Sequence, residues 1–200
     1  MQPPSKNPLV GRWVSLRPIT PGDYERLRMA ELDGSVIVNY RHRGTTPGPE
    51  QWVQTLWTGV LAQFMAIRNE TMEPVGTVTA YNFDWKNGFA SIASHVFAPF
   101  QKKAWPIEAS TLFIDYLFDT FPLRKLYGDV IEPNAEHFAL SLDGLVHEEA
   151  RRRAHEWHGG SYVDVLTFAI YRDQWIDNRH CRPSLSALLD EDADGSGGPN

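Results

Sequence analysis

The stretch that most constrains this chain runs from Ile107 to Phe121, where Ala109, Leu112, Phe113, Tyr116 and Leu117 recur at helical spacing. The residues before it read as strands joined by turns. Just after it, Lys125 to Ile131 reads as a strand again. A helix set between two strands needs a crossover, so a parallel pair must sit inside a series that is otherwise antiparallel. The fold class is therefore α/β: one domain with a mixed, mostly antiparallel sheet flanked by helices. In such sheets ligands bind at the turn between a strand's carboxyl end and the next helix. Here that turn is Pro99-Phe100-Gln101-Lys102-Lys103-Ala104-Trp105-Pro106.

The other elements fall around this unit. Trp13 to Ile19 alternates as a strand, and Pro21-Gly22-Asp23 caps a helix to about Asp33 with Tyr24, Leu27 and Ala30 on one face. After the loop from Gly44 to Pro49, a second helix puts Trp52, Leu56, Trp57 and Val60 on a shared face. Residues 62–68 and 74–83 read as strands around Met72-Glu73-Pro74, and Asp84 to Gly88 turns the chain into a strand from Phe89 to Phe97. A helix is expected over Ala135 to Leu142. A hairpin of Glu148–Trp157 and Tyr162–Tyr171 turns at His158-Gly159-Gly160.

A length of 200 residues suits one sizeable core. Residues 1–8 read as a disordered arm and 9–180 as the domain, with 181–200 as a flexible acidic tail. The net charge is −6, and the four acids among Asp190 to Asn200 account for most of it, leaving −2 for the rest. That balance argues against a strongly basic nucleic-acid binder. The single cysteine, Cys181, excludes an internal disulfide framework and fits a cytoplasmic setting. No apolar run has membrane-helix length, so no membrane association is expected.

The turn at 99–106 opens a helix whose first amides lack intrahelical partners, a natural anion site that Lys102 and Lys103 strengthen. An ordinary solvated loop is the alternative. Further pieces stand in order around it. They are Leu16-Arg17-Pro18, Val75-Gly76, Glu108-Ala109, Leu123-Arg124-Lys125-Leu126, Asn134, Gly160-Ser161-Tyr162-Val163-Asp164 and Arg172-Asp173-Gln174-Trp175. Together they resemble the GNAT superfamily of acyl-CoA N-acyltransferases, nearest its ribosomal-protein and small-molecule (RimJ/RimL-like) branch.

The resemblance implies transfer of an acyl group, here acetyl, from acetyl-CoA or another acyl-CoA to a primary amine. The amine belongs to a small molecule or a peptide N-terminus, and no metal is implied. The backbone at Val96 and Phe97 is expected to hold the pantetheine arm. Gln101, Lys102, Lys103, Ala104, Trp105, Pro106 and Ile107 occupy the family's pyrophosphate loop, Q/R-x-x-G-x-G/A. Gln101 matches that pattern, whereas Ala104 and Pro106 replace its small residues, and Pro106 removes an N–H. Asn134 fits the asparagine that meets the pantetheine, and a helix N-cap is its other reading.

Ser141 stands where many relatives carry a tyrosine that reprotonates the departing thiolate; an ordinary helix residue is the alternative. His95 and Glu132 are candidates to deprotonate the incoming ammonium. The pair Ala93 and Phe97 equally marks His95 as a core histidine. Arg41-His42-Arg43 and Arg151-Arg152-Arg153 read as solvated faces, or as contacts for a carrier protein or tRNA delivering a different thioester or ester donor. Tyr40, Trp52, Trp57 and Phe64 line either an acceptor cleft or the core. His155 and His158 lack an acidic partner for a metal. A non-catalytic module with the same shell, and a homodimer, are further readings.

Overall fold

A computed structural model describes residues 9–32, 41–100, 105–135 and 144–179. Seven strands form one sheet in the order β1-β2-β3-β4-β5-β7-β6. They are β1 (Val14–Pro18), β2 (Val60–Arg68), β3 (Pro74–Asp84), β4 (Phe89–Val96), β5 (Lys125–Ile131), β6 (His147–His158) and β7 (Ser161–Tyr171). Helices α1 (Tyr24–Glu31), α2 (Pro49–Trp57), α3 (Trp105–Thr120) and α4 (Arg172–Asp177) flank it. Every neighbouring pair is antiparallel except β4 and β5, which the α3 crossover makes parallel. The mixed sheet expected from the strand–helix–strand pattern is present. Among the described residues, no helix is long and apolar enough to cross a membrane.

The two faces of the sheet bury different clusters, and strand alternation decides which side chain goes where. On one face α3 lays Ala109, Phe113, Ile114, Leu117 and Phe118 against Phe64, Ala66, Val78 and Leu126. On the other, α1 and α2 bring Leu27, Trp52 and Leu56 onto Met65, Ile67 and Phe97. Phe64 therefore sits opposite Trp52, and its ring lies 6.0 Å from Phe113 and 5.1 Å from Tyr116. The aromatic set read as one group is split by the sheet, and Tyr40 lies outside the described residues. Trp57 is 42% exposed and Val60 opens β2, so neither shares the buried face of α2.

Two polar ties hold the chain's early part in place. Glu108, in the first turn of α3, accepts backbone N–H bonds from Arg12 (2.7 Å), Trp13 (2.9 Å) and Val14 (2.9 Å). Asp23 receives a bidentate pair from Arg17, both bonds 2.7 Å, together with the N–H and hydroxyl of Thr20. At the far end, Arg172 donates to the carbonyls of Phe121 and Leu123, and Trp175 is fully buried with its Nε1 2.7 Å from Asp115. The Leu-Arg-Pro and Arg-Asp-Gln-Trp pieces thus each tie one element to another.

Candidate active site

The site begins where the sheet opens. The parallel ladder between β4 and β5 covers only Phe89–Lys125, Ala90–Leu126 and Ser91–Tyr127, yet β4 continues to Val96 and β5 to Ile131. Beyond residue 91 the two strands separate into a wedge. On the other edge of β4, Phe97 N–H donates to Val75 O at 3.0 Å, and Val96 is paired with Gly76. In an antiparallel ladder, backbone groups alternate between the two edges. The groups of His95 and Phe97 therefore point to β3, while those of Ser94 and Val96 point into the wedge. Of the two residues expected to hold a ligand's amide-rich arm, Val96 is aimed at the gap. The N–H of Phe97 is already taken. Ser94, which the sequence reading passed over, joins Val96.

Gly76 makes the close approach at this end possible. A Cβ there would stand 2.3 Å from the His95 carbonyl oxygen. The amino end of α3 lies alongside: Ser94 Oγ is 2.8 Å from Ser110 Oγ, which donates to Pro106 O at 2.9 Å. Gly76, Ser94, Val96, Pro106 and Ala109 line a small hollow between the strands and this helical turn. The helix starts at Trp105, two residues earlier than the periodicity predicts, because Pro106 is comfortable in a first turn. Trp105 turns away from the wedge. Its indole lies under the Arg68 guanidinium at 4.4 Å and 6.1 Å from Phe100, and Arg68 ends β2, which β3 and β4 separate from β5.

The other expected residues divide. Gln101, Lys102, Lys103, Ala104 and Ser141 lie outside the described residues. Ile107 is half-buried in the first turn of α3. His95 is 7% exposed, its ring edge-on to Phe97 at 5.5 Å on the face that α1 and α2 cover. Glu132 follows β5 directly, and its carboxylate receives Arg151 at 2.7 Å. Asn134 is exposed in a helical turn that begins at Glu132, so it stands inside the turn and is not its N-cap.

A second concavity opens between α1 and the segment leading to α2. Buried Glu31 accepts Trp52 Nε1 at 2.6 Å and Arg41 Nε at 3.2 Å. Arg41 also donates to the carbonyls of Thr55 and Leu56, and to Gln63 Oε1 at 2.9 Å. Thr79 donates to the same Gln63 oxygen at 3.1 Å. Arg41 and His42, each 15% exposed, are thus interior groups, which overturns their reading as a solvated face. Only Arg43 of that run is exposed, and it reaches Glu156 of β6 at 3.0 Å. The sequence carried a signal for this network. Glu31 lies one turn after Leu27 on the apolar face of α1, where a carboxylate needs internal partners.

The sequence model of the acetyltransferase (GNAT) domain family matches residues 14–141. The chain belongs to the GNAT acetyltransferases. The Vibrio cholerae spermidine N-acetyltransferase SpeG in complex with CoA and spermine is similar in fold to this GNAT chain. Its TM-score is 0.71 at 17% identity, covering 82% of this chain and 98% of that one. The spermidine/spermine N-acetyltransferase SpeG from the same organism, in complex with manganese ions, gives a TM-score of 0.71 at 16% identity, over 83% and 96%. No curated protein matches the sequence.

Two arginines of the triplet in this GNAT domain form ion pairs with neighbouring strands. Arg151 meets Glu132, Glu148 and Asp164, and Arg152 meets Asp129. All three arginines are exposed, in keeping with the solvated-face reading. Buried Lys125 lies 2.9 Å from Glu149, which also accepts the Tyr171 hydroxyl. Burial pulls the Lys125 pKa down, but bonds to Tyr127 and Glu149 outweigh it and raise it overall. The Tyr171 hydroxyl and then Lys125 hold Glu149 below the usual carboxylate range. This cluster tethers β5, β6 and β7 at the paired end of β5, where Lys125 stands opposite Phe89.

Proposed function

We propose that this GNAT chain transfers an acetyl group from acetyl-CoA to a primary amine by direct attack in a ternary complex. One observation carries the reading: the backbone of Ser94 and Val96 faces an open wedge beside the amino end of α3. An extended pantetheine arm presents amides that complete the interrupted ladder there, as a third strand would. The pyrophosphate then falls to the segment 101–107. Lys102 and Lys103 supply charge, and the N–H groups of Trp105 and Ile107 supply donors. Pro106 supplies none, so this grip is weaker by one bond than an all-amide loop.

In the reaction the amine nitrogen bonds to the thioester carbonyl carbon, the C–S bond breaks and CoA leaves as thiolate. The ammonium must first lose a proton. His95 is the base in this reading, acting directly or through water. Glu132, already bonded to Arg151, positions the end of β5. Ser141 is assigned to protonate the thiolate and Asn134 to contact the arm. The Leu-Arg-Pro opening and the Arg-Asp-Gln-Trp closing support the ribosomal-protein and small-molecule branch.

Calorimetric titration with CoA and acetyl-CoA, followed by thiol release across a panel of amines, tests the proposal. Saturable binding and amine-dependent thiol release are expected. No binding at millimolar CoA would refute it.

A further inference from the structure

We propose that the ion pair of Arg43 and Glu156 is a strap across the wedge, on the face opposite α3, that shields a bound thioester from water and opens to admit the amine. This rests on the transferase reading above and makes the two side chains positioning residues. Strand register places them. Gln63 on β2 stands opposite Thr79 of β3, and Thr79 opposite Ala93 of β4. Ala93 lies past Ser91, where the pairing of β4 with β5 ends. Arg41 is held at Gln63 Oε1 and at the carbonyls of Thr55 and Leu56, so it starts from the sheet face that α1 and α2 cover. Two residues on, Arg43 reaches Glu156 at 3.0 Å. Glu156 belongs to β6, at the far edge of the sheet. It pairs with Val163, two residues beyond Val165, the partner of Ile131 at the end of β5. A bridge from Gln63 to Glu156 therefore passes over the gap between β4 and β5. With α3 across the other face, the amine's route to a thioester in the wedge lies beneath this strap.

The local chain holds that pair weakly. His42 O accepts the N–H of Thr45 at 2.9 Å, closing a four-residue turn with Arg43 at φ 47° and Gly44 at φ 86°. Turns with positive φ at both central positions are dominated by Gly, Asn and Asp. An arginine at the first of them carries backbone strain, so turn chemistry does not account for it, whereas the bond to Glu156 does. Arg41 and His42 anchor the base of the turn in the interior, so only its tip has to move. The Arg43 side chain is 69% exposed, and an ion pair open to water on one partner is weak. Releasing it also relaxes the left-handed Arg43 backbone. Closed and open arrangements therefore lie close in free energy, as a strap that works once per turnover requires.

The test uses the full chain with acetyl-CoA, whose binding is measured first by calorimetry. Arg43→Glu sets two carboxylates against each other and should hold the strap open. Water then attacks the thioester carbonyl carbon, the C–S bond breaks, and acetate and CoA thiol are released without an amine. That amine-independent release should rise threefold or more, with acetyl-CoA affinity and Tm unchanged. Adding Glu156→Arg restores the pair with its signs exchanged and should return the rate to that of the parent. In a second arm, Arg43→Cys and Glu156→Cys, combined with Cys181→Ser, are joined by a short bismaleimide. The closed strap should cut thiol release with propylamine, tyramine and spermidine tenfold or more against the same chain before cross-linking, with acetyl-CoA still bound. Hydrolysis at the parent's rate in Arg43→Glu, or undiminished amine turnover after cross-linking, overturns the strap while leaving the transferase reading standing. Loss of acetyl-CoA binding on cross-linking overturns its assignment to the amine's route. Absence of acetyl-CoA binding by the parent removes the transferase reading and this inference with it.

Discussion

Replacing Glu108 tests how α3, and with it the amino end beside the wedge, is held to the sheet. Its carboxylate accepts three backbone N–H groups, from Arg12, Trp13 and Val14, at 2.7, 2.9 and 2.9 Å. Hydrogen bonds to a charged group contribute about 1.5–3 kcal/mol each when sheltered. The Arg12 bond is exposed and adds little, so the two part-buried bonds set the cost of Glu108→Ala at about 4 kcal/mol. For a domain of this size that corresponds to a fall in Tm of about 8–16 °C.

Glu108→Gln is the sharper variant. It keeps the shape, and with its amide oxygen toward Trp13 and Val14 it sets an NH₂ against the exposed Arg12 N–H alone. We expect it to cost about 2 kcal/mol, roughly half the alanine loss, because the two sheltered bonds persist but are no longer charge-assisted. Thermal unfolding followed by circular dichroism measures both variants. Amide exchange at Trp13 and Val14 should accelerate in each. A glutamine variant melting within 2 °C of the parent would refute the account.

Acid should weaken the Asp23 tie. Bonds from Arg17 first, then from Thr20, hold the Asp23 pKa far below its ordinary value, so this contribution is present above about pH 4 and fades as pH falls further. Asp23→Asn should cost about 2 kcal/mol at pH 7, and its deficit should shrink toward pH 2; urea midpoints at both values check this, and a pH-independent deficit would count against it. At the donor site, Pro106→Ala restores one N–H in the first turn of α3. A charge-assisted bond of about 1.5 kcal/mol is roughly a tenfold gain, so CoA binding should tighten three- to tenfold. Dephospho-CoA, which keeps the pyrophosphate, should gain equally, and unchanged affinity for both would place the pyrophosphate contact elsewhere.

The periodic segments were legible along the chain because each period states which face is apolar. The α3 pattern predicted Phe113 and Leu117 in the core, and both are fully buried. Lys125–Ile131 was read to the residue as β5. The strand–helix–strand order already pointed to the parallel step between β4 and β5.

Some matters were beyond a one-dimensional reading. Arg41 looks like part of a basic surface run until α1 brings Glu31 and β2 brings Gln63 to it across the fold. Arg151 looks free until Glu132 and Asp164 arrive from β5 and β7. That Ser94 and Val96, and not Phe97, face the wedge depends on which edge of β4 pairs with β3. Local propensity reports a residue's preference for helix, strand or turn. A charge's partner, and the direction of a backbone amide, are set by segments tens of residues away, so only the packed sheet could decide them.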